Sequence, residues 1–137
     1  MKYSDHDTDD LKLTQLHWET LQHKVRCAFG QYVGKSEDET GVSKEVIDKL
    51  NKFINNPAFM FDLIDTVKYT TINYEVYRIK IKEMFLKNGL WISEKGLDSM
   101  SESLFLIGVA VNMIAMGCPI DPKTYTIRMQ LPDQTEE

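Results

Sequence analysis

The sequence predicts a mainly α-helical protein, with about five helices packed around a central apolar helix (residues 99–116) and one C-terminal β-strand (residues 124–131). Three observations lead to this prediction. One long apolar run is bounded by residues that start and end helices, several segments repeat apolar residues at every third or fourth position, and one short segment alternates apolar with polar residues. A period near 3.6 residues is typical of a helix, and a period of two is typical of a strand.

The central helix is predicted from the run Leu104 to Met116, in which Asn112 is the only polar residue. Helix start and stop signals bound the run: Ser99 with Glu102 as a capping box before it, and Gly117 with Pro119 after it. The run is shorter than the roughly 20 apolar residues that span a bilayer. A helix that is apolar on nearly all sides must then be surrounded by protein, so we place it at the centre of the core.

One side of this helix combines two small residues with the single polar one: Gly108, Asn112 and Ala115. Small side chains allow another backbone to approach, and one buried asparagine can fix the register of a dimer. The sequence therefore predicts a homodimer seam here. A small-ligand pocket and ordinary packing inside the chain are the alternatives, and the second agrees with the rule that buried polar groups usually find partners locally.

The composition is that of one soluble globular domain, with 137 residues, 42% of them hydrophobic and 27% charged. A net charge of -5 excludes a surface that is basic throughout, although it leaves room for one basic face. The first residues, Met1 to Asp7, contain no apolar segment of a signal peptide. Cys27 and Cys118 belong to no paired motif, so we expect buried, reduced thiols and a cytoplasmic location.

The first part of the chain is predicted to be an acidic arm followed by a long helix. Residues 1–9 are expected to form a flexible arm, because the first ten residues hold four aspartates. A helix should then run from about Asp10 to Tyr32, with aspartates at its start and Gly34 as its stop signal. A polar loop, residues 35–41, should follow.

Two shorter helices are predicted next. Residues 43–54 repeat apolar side chains on one side, and the pattern ends at Asn55. Asn56 can cap the following helix, with Pro57 at its first position, where a missing N–H costs little. That helix, residues 57–67, is short and mostly apolar.

Residues 68–87 carry two conflicting signals. The part at 69–76 is rich in β-branched and aromatic residues, which favours a strand. From Tyr74 onward, however, apolar residues keep the spacing of a helix. We predict a helix over residues 73–87, with a strand in the region 66–82 as the alternative.

The clearest strand signal is the alternation of apolar and polar residues from Tyr125 to Leu131. A single strand leaves its backbone N–H and C=O groups unpaired, so it needs a neighbour inside the chain, in a second copy or in another protein. We favour a neighbour inside the chain or across a dimer. Residues 132–137 are expected to form a disordered acidic tail.

The sequence contains no nucleophile elbow, phosphate-binding loop or zinc-protease motif. Glu19, His23 and Cys27 share one side of the first predicted helix, and all three residue types bind zinc. A structural zinc site needs a fourth ligand, which the spacing does not supply. We therefore predict no catalytic residue, no metal site and no cofactor, with a small enzyme or metal protein as the least favoured alternative.

The segment 68–87 combines cations with aromatic residues, and it holds the predicted partner-binding residues Tyr74, Tyr77, Arg78, Lys80 and Lys82. Such a surface can bind an acidic protein, and it can also bind nucleic acid through phosphates and stacked bases. The plainer interpretation is a solvated helix side with its tyrosines turned into the core.

These observations predict a non-enzymatic protein–protein interaction module that forms a homodimer. Small acidic domains of this description include inhibitors, immunity proteins and assembly chaperones, many of them encoded by phages or mobile elements. The alternative function is that of a nucleic-acid-binding regulator that uses the basic and aromatic segment 68–87.

Overall fold

A computed structural model describes residues 13–71 and 73–129 of the chain. In these residues the chain forms six α-helices: α1 (Gln15–Gly30), α2 (Glu37–Thr40), α3 (Lys44–Phe53), α4 (Pro57–Val67), α5 (Tyr74–Lys87) and α6 (Glu94–Ala115). A 3-10 turn, Lys68–Thr71, joins α4 to α5. The predicted mainly helical fold class is confirmed. The predicted acidic arm, residues 1–9, and acidic tail, residues 132–137, lie outside the described residues.

The longest helix, α6, has 22 residues and lies at the centre of the protein. It packs against α1, α2, α4, α5 and the 3-10 turn, while α3 packs on α1. The buried apolar residues of α1, α3, α4, α5 and α6 form one continuous core. By length and composition alone α6 could cross a membrane, but half of its apolar window is buried inside the protein, as is usual for a core helix.

The predicted start of the central helix at Ser99 is wrong, because the cap of α6 is Ser93, six residues before Ser99, and the helix begins at Glu94. The Ser93 hydroxyl accepts a hydrogen bond from the backbone N–H of Gly96, at 3.1 Å. Ser99 is inside the helix, and its hydroxyl bonds the Tyr32 hydroxyl at 2.7 Å. The predicted stop is confirmed, since α6 ends at Ala115 and Gly117 adopts a left-handed conformation with φ 85°.

Two helix boundaries in the first part of the chain also differ from the prediction. α1 is capped by Thr14, whose hydroxyl accepts from the His17 N–H, and not by the aspartates that precede it. The helix ends at Gly30, before Tyr32. The predicted polar loop at 35–41 contains the short helix α2, which begins with a capping box. The Ser36 hydroxyl accepts from the backbone N–H of Glu39, and the Glu39 carboxylate accepts from the backbone N–H of Ser36.

The three helices α3, α4 and α5 begin at the capping residues that their sequences indicate. Ser43 caps α3, and Asn56 caps α4 with Pro57 in its first turn. Asn73 caps α5, and its side-chain oxygen accepts from the Glu75 N–H at 2.8 Å. The helix predicted at 73–87 is therefore confirmed over the strand alternative.

The predicted strand at 124–131 does not form in its described part, which ends at Met129. Ile127 makes a single antiparallel bridge with Ile120 of the same chain. Tyr125 has a positive φ of 61°, which folds the backbone back and interrupts the extended conformation that a strand requires. The backbone of this segment is instead paired inside a tight loop, in which the Arg128 N–H donates to the Pro119 carbonyl at 2.9 Å.

Candidate functional site

Of the predicted partner-binding residues on α5, Tyr77 is fully buried. Its hydroxyl donates to the carbonyl of Ser101 on α6, at 2.8 Å, and burial raises the pKa of this phenol above its ordinary value. A partner cannot reach a side chain in this position, so the prediction that Tyr77 contacts a partner is wrong. Tyr74, one turn earlier, is exposed, and its ring lies 6.0 Å from the Tyr77 ring.

Three of the four basic residues of α5, namely Arg78, Lys82 and Lys87, lie beside acids that come from other helices. Arg78 bonds Glu94 and Asp98 of α6, the second at 2.7 Å. Lys82 lies 3.4 Å from the Glu94 carboxylate. Because these acids are distant in sequence, the composition of residues 68–87 alone overestimates how basic this surface is.

The ion pair between Arg78 and Glu94 predicts a measurable pH dependence. The hydrogen bond from Arg78, with a smaller effect of Lys82, lowers the pKa of Glu94 below its ordinary value. A lowered pKa in the folded state adds stability above the ordinary glutamate pKa, and this stability is lost as the pH falls through the lowered value. We expect Arg78→Ala to return the Glu94 pKa toward the ordinary range in an NMR titration of its carboxyl carbon.

The matched control for this titration is Arg26→Ala, because Arg26 bonds a neutral side-chain oxygen of Asn55 at 2.9 Å and pairs with no carboxylate among the residues that the structure describes. This variant should leave the Glu94 titration where it is in the unaltered protein. An Arg78→Ala variant with an unchanged Glu94 titration would contradict the assigned pairing.

A polar cleft of about 220 Å³ lies between α4 and α5. Lys87 of α5 lies 3.4 Å from Asp62 of α4 across this cleft, and Asp65 is bound locally by Lys68, which directly follows α4, at 2.7 Å. The Lys80 ammonium, another predicted partner-binding group, lies 4.5 Å from the centroid of the Tyr69 ring. We interpret this cleft as a polar contact between α4 and α5 that helps to hold the two helices together.

The predicted dimer seam on α6 is partly occupied by the chain itself. Gly108 is buried, and a Cβ added there would overlap the Thr70 side chain and the Val67 carbonyl oxygen. The prediction that Gly108 lies in a dimer seam is therefore wrong. Asn112 donates its side-chain N–H to the Gly108 carbonyl at 2.8 Å, which is the bonding inside the chain given above as an alternative, and Ala115 is exposed.

The outward side of the second half of α6 is apolar, at positions next to that predicted seam. Leu106 and Met116 are 71% and 70% exposed. Phe105 is exposed beside them, and its ring, like that of Tyr74, packs against the buried Tyr77 ring. We call this surface the α6 face and define it by five residues: Phe105, Leu106, Val109, Met113 and Met116.

An open groove of about 440 Å³ runs between α1 and α6, beside the α6 face. Apolar residues line its floor and its α6 wall, and polar residues of α1 and of the C-terminal loop line its rim. The floor and wall include Ala28, Ile107, Ala110, Leu106 and Val109; the rim includes His23, Lys24, Gln31 and Thr126. This groove extends the apolar surface of the α6 face toward α1.

The zinc ligand types on α1 do not converge on one point. His23 Nε2 and Cys27 Sγ are 3.8 Å apart, whereas the Glu19 carboxylate accepts a hydrogen bond from Gln15 at 3.0 Å. In the part of the chain that the structure describes, no group of three or more metal-binding side chains is present. Both cysteines are free, but the expected burial holds only for Cys118, since Cys27 is exposed on the groove rim.

A second exposed apolar surface lies on α5, on the side opposite its buried residues. Val76, Ile79 and Leu86 are exposed and recur at helical spacing, with Glu83 on the same side. We call these four residues the α5 stripe. The helical spacing of these residues is visible in the sequence. The prediction from the sequence rests instead on the tyrosines and basic residues of the same segment, because their spacing is equally regular.

Comparisons with protein-family models, with curated proteins and with solved structures found no match for this chain. No family is therefore assigned. The surfaces described above are the basis for the function proposed next.

Proposed function

We propose that this protein is a non-enzymatic protein-binding module and that the α6 face is its binding surface. One observation carries the proposal: Phe105, Leu106 and Met116 are exposed on one side of the central helix and at its C-terminal cap, with Val109 and Met113 half-buried between them. The continuous core does not include these side chains, although the Phe105 ring packs against the buried Tyr77 ring at its edge. Contiguous exposed apolar patches on soluble domains mark interaction sites more often than single exposed residues do.

The charges around the α6 face indicate the chemistry of the partner. The same side of α6 continues toward its N-terminus with the exposed acid Glu102, whereas Asp98, one turn earlier, is already paired with Arg78. Complementary charge steers association and fixes orientation across an interface. The partner surface that would complement the α6 face best is therefore an apolar patch with cationic residues at one end.

Protein classes that combine a small acidic chain with protein binding include inhibitors, immunity proteins and assembly chaperones. The net charge of -5 and the length of 137 residues support this class of function. A cytoplasmic location and an origin in a phage or mobile element belong to the same proposal.

A single lysine on the α6 face is expected to weaken partner capture roughly tenfold or more, because a charge in an interface core must be desolvated without a counter-ion. The variant is Leu106→Lys, since lysine and leucine have similar helix propensities. Its matched control is Val33→Lys, at a residue that is 66% exposed in the turn after α1. The measurement is quantitative capture of protein from a nuclease-treated native extract by each tagged variant.

Only a selective loss of capture supports the proposal. Thermal unfolding should give the same midpoint for both variants, which shows that the lysine acts on binding rather than on folding. Equal capture by Leu106→Lys and by Val33→Lys would reject the α6 face as the binding surface.

A nucleic-acid-binding regulator is the alternative function, with Tyr74, Arg78, Lys80 and Lys82 as its contacts. The ion pairs of Arg78 and Lys82 with acids of α6 weaken this alternative, because paired cations neutralise fewer phosphates. Nucleic acid in the captured material, or binding that falls steeply with salt, would favour it over the protein-binding proposal. A small enzyme or metal protein is the least favoured alternative, and stoichiometric metal by elemental analysis would favour it.

A further inference from the structure

The groove between α1 and α6 lies over two small residues, Ala28 of α1 and Ala110 of α6. Both alanines are buried, and both line the groove. Larger side chains at these positions would occupy the space that the groove provides, because packed helices otherwise fill the gaps between them. The volume of about 440 Å³ lies within the roughly 300–1,000 Å³ that small-molecule sites occupy.

The inner surface of the groove is apolar and suits an alkyl chain. Ile107, Val109 and Met113 of α6 line it, together with Ile127 of the C-terminal loop. A cavity of about 150 Å³ holds benzene, which corresponds to about 25 Å³ for each carbon atom. On this scale the groove has room for a chain of about twelve carbons, even with part of its volume open to solvent.

The charge on the rim of the groove is opposite in sign to the net charge of the protein. Among the described residues that line the groove, Lys24 is the only lysine or arginine, and no aspartate or glutamate is present. Lys24 forms no ion pair with a carboxylate in the part of the chain that the structure describes. In a protein with a net charge of -5, this groove therefore offers a counter-charge to a ligand with one negative end.

We propose that the groove binds a free fatty acid, with its alkyl chain along the apolar floor and its carboxylate beside the Lys24 ammonium. The stem of a lysine covers apolar surface while its ammonium stays in water, and Lys24 is half-buried, as this arrangement requires. The inference goes beyond the proposed function, because the ligand is a small molecule and its counter-charge lies on α1. The groove and the α6 face nevertheless share Leu106, Val109 and Met113.

The first test is equilibrium dialysis of the unaltered protein against radiolabelled dodecanoate below its micelle concentration. We expect one site with a dissociation constant on the order of 100 µM, since a single fourteen-carbon chain binds a bilayer with an association constant of about 10⁴ M⁻¹. Dodecyltrimethylammonium has the same chain with the opposite head charge, and it should bind roughly tenfold more weakly or less. Equal affinities for the two ligands, or no binding of dodecanoate, would overturn the proposal.

The role of the rim cation is tested by Lys24→Gln, which removes the charge and keeps most of the stem. Dodecanoate should bind roughly three- to fivefold more weakly, the range expected for the loss of a solvent-exposed ion pair. The matched control is Lys52→Gln, which removes the same charge from an exposed position of α3 that does not line the groove. Equal affinities of the two variants would contradict the assigned position of the carboxylate.

The position of the alkyl chain is tested by Ala110→Leu, whose added carbons enter the groove. This variant should weaken dodecanoate binding roughly tenfold, because its side chain clashes with the bound chain. Ala115→Leu adds the same atoms at an exposed position of the same helix and should bind as the unaltered protein does. Unweakened binding by a folded Ala110→Leu would show that the chain lies elsewhere and would overturn the proposal.

The native cysteines give an independent readout of the same site. Cys27 is exposed on the groove rim, whereas Cys118 is buried and does not line the groove. With dodecanoate at about four times its dissociation constant, alkylation of Cys27 by iodoacetamide should slow about fivefold, since only the free protein then reacts. Peptide mass spectrometry follows each cysteine separately. An unchanged rate at Cys27, or faster alkylation of Cys118 as the ligand unfolds the protein, would overturn the proposal.

The fatty-acid inference and the proposed function can fail separately. If dodecanoate does not bind but Leu106→Lys loses protein capture selectively, the fatty-acid inference fails and the α6 face stands as the protein-binding surface. If dodecanoate binds as expected but Leu106→Lys captures as much protein as Val33→Lys, the proposed function fails and the fatty-acid site stands.

Discussion

Tyr77→Ala is expected to cost roughly 3–5 kcal/mol of the free energy of unfolding, because it removes a large, fully buried ring from the core. The ring lies where α5 crosses α6 and packs against the rings of Tyr74 and Phe105, at centroid distances of 6.0 and 6.2 Å. Its loss leaves a cavity beneath both exposed rings. Urea denaturation followed by circular dichroism measures the change.

Tyr77→Phe separates the contribution of the hydroxyl to stability from that of the ring. It removes the hydrogen bond to the Ser101 carbonyl and keeps the packing, so we expect a loss of about 1 kcal/mol. Tyr74→Phe, at an exposed phenol, is the matched control and should be nearly neutral. Equal losses in the Ala and Phe variants of Tyr77 would contradict the packing role of the ring.

The raised pKa of Tyr77 adds a pH dependence to this result. A folded-state pKa above the unfolded value stabilises the protein below the ordinary tyrosine pKa, and this stability is lost as the pH rises through the folded value. Alkaline unfolding should therefore coincide with the last tyrosine ionisation, which ultraviolet absorbance detects. Desolvation also raises the pKa of Tyr74, so Tyr77→Phe should abolish the last step while the raised pKa of Tyr74 remains.

Gly96→Ala is expected to destabilise the protein by roughly 1–3 kcal/mol, although alanine is the better helix former. A Cβ on Gly96 would lie 2.9 Å from the carbonyl carbon of Gly41 and closer still to its oxygen. Both obstacles are backbone atoms, and the Ser93 hydroxyl also donates to the Gly41 carbonyl at 2.9 Å. The first turn of α6 cannot move away without breaking its contact with the end of α2.

The control for this prediction is Gly30→Ala, at the last residue of α1. No atom lies within 4 Å of a Cβ at this position, so alanine should be neutral or stabilise the protein by up to about 1 kcal/mol. Urea denaturation should thus give opposite signs for two glycine-to-alanine changes in helices. A neutral Gly96→Ala would show that α2 is not held against α6.

Local signals in the sequence located most of the helices. Ser43, Asn56 and Asn73 cap α3, α4 and α5 as their residue types predict, because a cap is decided by its own side chain and the next three residues. The capping box of α2 is also a local signal. The sequence nevertheless predicts a loop there, because none of the residues of α2 is buried and its composition therefore resembles that of a loop.

The first turns of α6 could not be located in the same way, since contacts distant in sequence stabilise them. Ser93 bonds Gly41, and Tyr32 bonds both Ser99 and Ser103 on successive turns of the helix. The sequence of these turns is mixed in polarity and weakly periodic, while the apolar run after Ser103 is unmistakable. The prediction therefore placed the start of the helix close to the run.

The candidate site was only partly predictable for a related reason. Tyr74 and Tyr77 look alike in sequence, and only the position of α6 decides that one is exposed and the other buried. The charge of Arg78 is cancelled by Glu94 and Asp98, which no count over a local window includes. The exposed apolar residues of α6 look like core residues until the core is seen to be complete without them.

The central position of α6 also determines when the chain can fold during synthesis. This helix follows α1 to α5 in the chain, yet α1, α4 and α5 all pack against it. While the ribosome is still adding residues before Glu94, the sides of those helices that face α6 have no surface to cover them, although α3 can pack on α1 and α5 on α4, and exposed apolar segments are prone to aggregate. Folding of the nascent chain should therefore be a late, single step that waits for the whole of α6 to emerge, and until then the earlier helices depend on the chaperones that hold unfolded chains.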